Sequence, residues 1–295
     1  MNILITGATG FIGKNLIPLL AERGYKLTAV IRNSNIPHEW ASCAVKTIVD
    51  DQDMESLIKT FKNSGFDGVI HLATYFCSSH RIEDIKPLIE SNILFGTRIA
   101  EAAVKGNTKW FINTGSFWQH YDGSEYSPAN LYAATKQSFQ CILDYYSESS
   151  DTCFTTLELG DTYGENDTRH KILNIWRKMI GTDELLQMSP GGQMIDLLHV
   201  SDVCNGFLQL IKNLELNTEY YNGHTHFLSS EALISVRDLA SLVEIICEKK
   251  LNIIWGGRAY REREIMMPSF KGVKLPEWAP QITLQGGLRH FLLNH

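Results

Sequence analysis

The sequence predicts an α/β fold: a doubly wound parallel sheet followed by a smaller C-terminal lobe. Three observations carry that reading. The chain opens on a short apolar run, Asn2–Thr6, which stops at Gly7 and passes straight into a helix-period pattern at Phe11, Ile12, Leu16, Leu19 and Leu20. Apolar runs of strand length and helix-period stretches then alternate as far as residue 160, as in a parallel sheet covered on both faces. Beyond Gly160 the alternation loosens into short runs broken by Gly223, Gly256, Gly257 and Pro268.

The first turn sets the expected chemistry. Gly7, Gly10 and Gly13 stand between strand and helix, where glycines admit a pyrophosphate close to the backbone. The helix start offers it free N–H groups and a partial positive charge. The spacing is GxxGxxG, not GxGxxG. A glycine turn alone is a weak signal, but strand before and helix after supply the context of a Rossmann-type dinucleotide site.

The remaining elements follow in order. Gly24 and Tyr25 turn the chain into a second strand at 27–31, with Arg32 directly after it. A third strand at 45–49 ends in Asp50 and Asp51, with a helix at 54–61 and a fourth strand over 68–73. A long helical stretch at 82–104 contains Asn92, and a fifth strand spans 110–114. After a polar and aromatic loop, Pro128 is expected to open the next helix with Ser127 as its cap. A sixth strand lies at 154–159, a helix at 170–180, a turn at 190–192, a strand at 195–200 and a helix at 202–211. The expected division is a dinucleotide-binding domain at 1–160, with a returning segment near 195–212, and a substrate-binding lobe at 161–295.

At 295 residues, 44% hydrophobic and 20% charged, the composition is that of an ordinary globular protein. A net charge of −6 without a basic block argues against nucleic-acid binding, and no apolar run reaches membrane-spanning length. A strand beginning at Asn2 leaves no room for a signal peptide, so a cytoplasmic location is expected. The six cysteines, Cys43, Cys77, Cys141, Cys153, Cys204 and Cys247, lack metal-ligand spacing and are expected to be reduced and mostly buried. No metal site is expected.

At the end of the second strand an acid would bond the adenosine ribose, whereas an arginine accommodates a 2′-phosphate. Arg32 with no acid beside it therefore favours NADP(H) over NAD(H). Asp51 and Gln52 are placed to meet the adenine edge, although Asp51 would serve equally as a helix cap. Tyr132 and Lys136, four apart, share a helix face beside the expected nicotinamide end. Lowering a phenol from its ordinary pKa of about 10 toward neutrality takes roughly 4 kcal/mol of differential interaction, which the Lys136 charge and the nicotinamide are expected to supply. Ser116 offers a hydroxyl to hold the reacting oxygen.

TGATGFIG (6–13), HLA (71–73), Asn92, the Ser116/Tyr132/Lys136 set and TYG (162–164) occur in one order. In this the chain resembles the extended short-chain dehydrogenase/reductases that act on nucleotide sugars, the NAD-dependent epimerase/dehydratase family, over essentially its whole length. The resemblance implies Tyr132 as acid–base group, Lys136 as its partner and holder of the nicotinamide ribose, and Ser116 as orienter of the substrate oxygen. It implies Gly7, Gly10, Phe11, Ile12 and Gly13 around the pyrophosphate, with Leu72, Ala73 and Asn92 among the cofactor residues. A homodimer through two long helices, near 85–105 and 131–148, is implied by the same analogy.

The resemblance also narrows the reaction. The family's 4,6-dehydratases carry an Asp-Glu pair after the threonine of the fifth strand; here TGSFWQH (114–120) has no carboxylate. Its GDP-fucose synthase-like members need a cysteine near the serine, and none is there. IESNIL (89–94), LYAATKQ (131–137) and REREIMM (261–267) look like the CDP-paratose and CDP-abequose synthase branch, which reduces the 4-keto group of CDP-4-keto-3,6-dideoxyglucose. Phe117, Lys171 and Arg261 are then expected at the substrate with Ser116. One departure stands out: Ile195 precedes Asp196 where relatives carry an arginine, leaving Lys171, Arg169 and Arg258 as possible substitutes. A nucleotide-sugar 4-epimerase retaining NAD, a reductase of non-sugar carbonyls, and a non-catalytic NADP(H)-binding regulator remain as alternatives.

Overall fold

The computed structural model describes residues 1–32 and 37–293. Its strands are β1 (Asn2–Thr6), β2 (Lys26–Ile31), β3 (Val45–Val49), β4 (Gly68–His71), β5 (Trp110–Ser116), β6 (Cys153–Leu159), β7 (Asp161–Tyr163), β8 (Leu186–Met188), β9 (Met194–His199), β10 (Thr225–Leu228), β11 (Leu233–Ser235), β12 (Ile253–Trp255) and β13 (Val273–Lys274). The α-helices are α1 (Phe11–Glu22), α2 (Met54–Ser64), α3 (Ile85–Ile89), α4 (Phe95–Lys105), α5 (Leu131–Ser149), α6 (Ile172–Met179), α7 (Val200–Leu216), α8 (Thr218–Tyr221), α9 (Val236–Cys247) and α10 (Leu284–Leu293).

Eight strands form one sheet in the order β13-β10-β6-β5-β4-β1-β2-β3, every neighbouring pair parallel. Strand alternation explains the two covered faces. Ile3, Ile5, Ile70 and Ile112 point to the side where α1 and α7 pack. Leu4, Val69 and Phe111 point to the side covered by α2, α4 and α5. A third cluster, around Trp176, Leu239, Val243 and Phe291, is the core of the second half.

The second half contributes more to the large sheet than expected. Strands β10 and β13 extend it beyond β6, while β9, from the anticipated returning segment, pairs instead with β7 and β11 in a small sheet. Only helix α7 of that segment packs on the large sheet's face.

One helix start and one helix interior also differ from expectation. The helix carrying Tyr132 begins at Leu131, capped by Asn130, whose Oδ1 accepts from Ala133 N at 2.9 Å. Ser127 and Pro128 belong to the preceding loop, where Ser127 N bonds Gln119 O at 3.1 Å. The helical stretch at 82–104 is broken by a π-turn, Glu90–Leu94, between α3 and α4. Among the described residues no helix is long and apolar enough to cross a membrane. All six cysteines are unpaired, and only Cys153 and Cys204 are buried, fewer than expected.

Candidate active site

Sheet order reverses between β1 and β4, and ligands of open α/β sheets sit in the crevice at such a point. Gly7, just past β1, has φ +66°, and a Cβ there would lie 2.5 Å from Ala73 N. Leu72 N and Ala73 N donate to Thr6 O and Thr6 Oγ1 at 3.2 and 3.3 Å, which holds the end of β4 against this turn. Gly10 is the N-cap of α1 and no side chain caps the helix, so the amides of Phe11, Ile12 and Gly13 keep their donors for a ligand. A Cβ on Gly13 would meet Ala8 O at 2.4 Å, so glycine is what lets the helix sit tight on the turn.

Arg32 is exposed at the end of β2 and pairs with no acid among the described residues. Asp51 and Gln52 are exposed beyond β3. Asp51 accepts from Asp53 N at 2.9 Å, and Asp53, not Asp51, caps α2.

On the other side of the crevice Tyr132 and Lys136 are both buried on α5. Burial pushes the Tyr132 phenol up to about 12, against the Thr74 and Ser116 hydroxyls that bond it and the charge of Arg169. Lys136, expected to lower the phenol, is not among the groups that shift it, and desolvation of the phenolate outweighs the neighbours that do. Burial lowers the Lys136 ammonium to about 8, and no carboxylate pairs with it among the described residues. An uncapped helix start, a glycine that a Cβ would jam against Ala73, and an unpaired buried ammonium together fit a dinucleotide cofactor.

Ser116 is fixed by two bonds to the turn that follows it: Ser116 N donates to Gln119 Oε1 at 2.9 Å, and Trp118 N donates to Ser116 Oγ at 3.3 Å. Phe76 and Trp118 wall the phenol, with ring centroids 5.0 and 6.5 Å from Tyr132. Two cations stand over this wall. Lys171 Nζ lies 4.3 Å from the Phe76 centroid and 3.4 Å from Asp161 Oδ1. Arg261 lies 5.2 Å from the Trp118 centroid, held by Glu264 through bonds of 2.9 and 2.7 Å.

The site thus joins a glycine turn, a buried Ser–Tyr–Lys group and a cation-rimmed aromatic wall. A model of the NAD-dependent epimerase/dehydratase family matches residues 3–222, well over half of the chain. The chain belongs to that family. As a member of the epimerase/dehydratase family it is an NAD(P)-dependent enzyme of the oxidoreductase type. It is 27% identical over 278 residues to a CDP-abequose synthase of Yersinia pseudotuberculosis, covering 92% of this chain and 93% of that protein. A CDP-abequose synthase of Salmonella muenchen is 26% identical over 296 residues, covering 98% and 96%. The fold matches that of the UDP-glucuronic acid 4-epimerase of Bacillus cereus in complex with UDP-glucuronic acid and NAD, with TM-score 0.85, 20% identity and coverage of 99% and 98%.

The geometry defines the surroundings of three expected site residues. Asn92, expected to contact the cofactor, has its amide fully engaged: Oδ1 accepts from Thr74 Oγ1 (3.0 Å) and Tyr75 N (2.7 Å), and Nδ2 donates to Tyr75 O (3.0 Å) and Thr135 Oγ1 (2.9 Å). It ties the loop after β4 to α5, and so positions Thr74. Phe117 is 5% exposed and packs on Phe270 at 5.9 Å, so it backs the wall while Trp118 and Phe76 form its face. Arg169 is committed to Asp167 by two 2.8 Å bonds and to Thr162 O by one of 2.7 Å, with its guanidinium 3.9 Å from the Phe11 centroid. Its guanidinium thereby packs against the start of α1. Arg258 is exposed and bonds Met188 O through its backbone at 3.2 Å. Ile195 packs against the third core cluster.

Thr74, Phe76, Asp161 and Glu264 are the site residues that sequence reasoning missed. They lie in loops without periodicity, and only their neighbours after folding single them out.

Proposed function

We propose that this enzyme reduces the 4-keto group of a nucleotide-linked deoxysugar, of the CDP-4-keto-3,6-dideoxyhexose type, with NADPH, in the making of surface-polysaccharide sugars. The observation that carries the reading is the placement of Tyr132, buried on α5 with Lys136 and walled by the Phe76 and Trp118 rings; burial keeps the phenol protonated. At neutral pH it is a proton donor, with the Ser116 hydroxyl beside it. Likeness to CDP-abequose synthases over nearly the full chain supports the substrate class. The aromatic wall of Phe76 and Trp118 suits a sugar stripped of hydroxyls, and Lys171 and Arg261 suit its diphosphate. No carboxylate lies between Thr114 and His120 to expel water.

In this mechanism Ser116 Oγ holds the substrate carbonyl beside Tyr132, and the phenol gives its proton to the oxygen as the carbonyl becomes an alcohol. The bound dinucleotide supplies the hydride. Lys136, unpaired by protein, holds the ribose hydroxyls and lends its charge to the phenolate that remains. Arg32 supports NADPH over NADH, because its exposed guanidinium matches a 2′-phosphate and no acid competes. We also propose a homodimer through α3, α4 and α5, supported by the exposure of Ile85, Ile89, Leu94 and Tyr145.

The test is oxidation of added NADPH, followed at 340 nm by its absorbance, with a panel of CDP-, UDP- and dTDP-linked 4-keto sugars. Turnover with a CDP-linked 4-keto-dideoxy sugar is expected. Purified protein that carries tightly bound NAD and interconverts UDP-hexoses without added cofactor would make it a 4-epimerase instead. Binding of NADPH with no turnover on any carbonyl would favour a regulator.

A further inference from the structure

The segment from Arg258 to Met267 has no regular secondary structure, yet it carries Arg261 to the Trp118 ring. On the lobe side it is fastened by Gly192 N to Tyr260 Oη (2.9 Å) and Met194 N to Met266 O (2.9 Å). On the other side it meets the loop that leads into α5, and there Arg263 makes three contacts. Its Nε donates to Pro128 O at 3.1 Å, its Nη2 donates to Ser127 Oγ at 2.6 Å, and its guanidinium lies 4.2 Å from the Tyr121 centroid.

The loop it grips is a closed unit. Tyr121 N bonds Ser127 O at 2.8 Å and Ala129 N bonds Trp118 O at 2.8 Å, so a hold on Ser127 and Pro128 is a hold on Trp118. The next residue but one after Pro128 is Asn130, which caps the helix of Tyr132.

We propose that Arg263 is a positioning residue for substrate. It straps the Arg258–Met267 segment to the Trp118 loop and thereby sets Arg261 at the diphosphate, without itself touching the reacting atoms. A forked guanidinium reaching a carbonyl, a hydroxyl and an aromatic face from one position is a geometry lysine cannot reproduce in full. This inference rests on the reading of the site as one for a nucleotide diphosphate.

The experiment compares full-length wild type with Arg263→Ala, Arg263→Lys and Ser127→Ala by calorimetric titration of CDP, UDP and dTDP, and of NADPH separately. For the nucleoside diphosphate that wild type binds, Arg263→Ala is expected to weaken binding roughly tenfold, the scale of losing hydrogen bonds from a charged group. NADPH affinity should stay within about twofold, because the cofactor lies on the other side of Tyr132. Arg263→Lys and Ser127→Ala should fall between. Since Ser127 acts through Arg263, adding Ser127→Ala to Arg263→Ala should cost little more. If Arg263→Ala binds the diphosphate as wild type does while Arg261→Ala does not, the strap is wrong and the site reading stands. If wild type binds none of the three, the site reading falls and the inference falls with it. Equal loss of NADPH and diphosphate binding in Arg263→Lys and Ser127→Ala would mark a general structural role and overturn the inference.

Discussion

Tyr132 and Lys136 are buried side by side on one helix face, and their ionisations have moved toward neutral forms: the phenol up to about 12, the ammonium down to about 8. The sign of the pH dependence follows. Reduction needs Tyr132 protonated and Lys136 charged. Below about 8 both conditions hold, and as pH rises through that value Lys136 loses its charge while Tyr132 keeps its proton. The rate of carbonyl reduction at saturating substrate should therefore be flat toward neutrality and fall above pH 8. A profile that climbs through that pH would contradict the assignment. Tyr132→Phe should lower turnover by about 10²–10⁴-fold, with NADPH affinity little changed. Behind Lys136, His71 is fully buried and held down at about 3 by burial and by the Lys136 charge, its Nδ1 2.9 Å from Thr6 Oγ1. It stays neutral, and adds no like charge beside the ammonium.

The turn between β1 and α1 is the element on which cofactor binding depends. Gly7→Ala would place a methyl 2.5 Å from Ala73 N at a positive φ. The expected result is a loss of about 2 kcal/mol or more in stability and a collapse of dinucleotide affinity, read by thermal melting and by titration with NADPH. Retention of both would show that the turn can shift away from β4. This element was legible in the sequence because a glycine spacing, a strand and a helix coincide within thirteen residues. Strands β1 to β6 were legible for the same kind of reason, each being a compact apolar run. Strands β10 and β13 were not: Thr225–Leu228 and Val273–Lys274 are too short to show a period, and they exist because β6 offers them an edge. The start of α5 was misplaced because Ser-Pro is a good helix opening in isolation. In the fold, Ser127 is taken by Arg263, and Asn130 two residues past Pro128 makes the cap. Likeness singles out Arg261, and Lys171 stands only as a possible substitute for an absent arginine; the aromatic faces they lie over emerge only when distant loops converge.

At the scale of the whole molecule, the helices flanking the site leave apolar side chains in the open. Ile85 is 44% exposed, Ile89 42%, Leu94 55% and Tyr145 65%. Their burial against a second copy is the expected outcome, visible as a dimer in sedimentation equilibrium. Ile89→Glu should shift the population toward monomer while leaving NADPH binding intact. Wild type that remains a monomer at high micromolar concentration would count against the pairing. The sheet itself has a consequence in time. Its last strand is residue 273–274, whereas every residue of β6 is already buried in the finished protein. On a ribosome, the first six strands emerge well before β10, which pairs with the edge of β6 and is itself covered by β13. At the usual pace of synthesis β6 waits about ten seconds as a bare hydrogen-bonding edge. A nascent chain of this enzyme is most prone to pair with a neighbour in that interval, and yield on expression should respond more to slowed translation after residue 160 than before it.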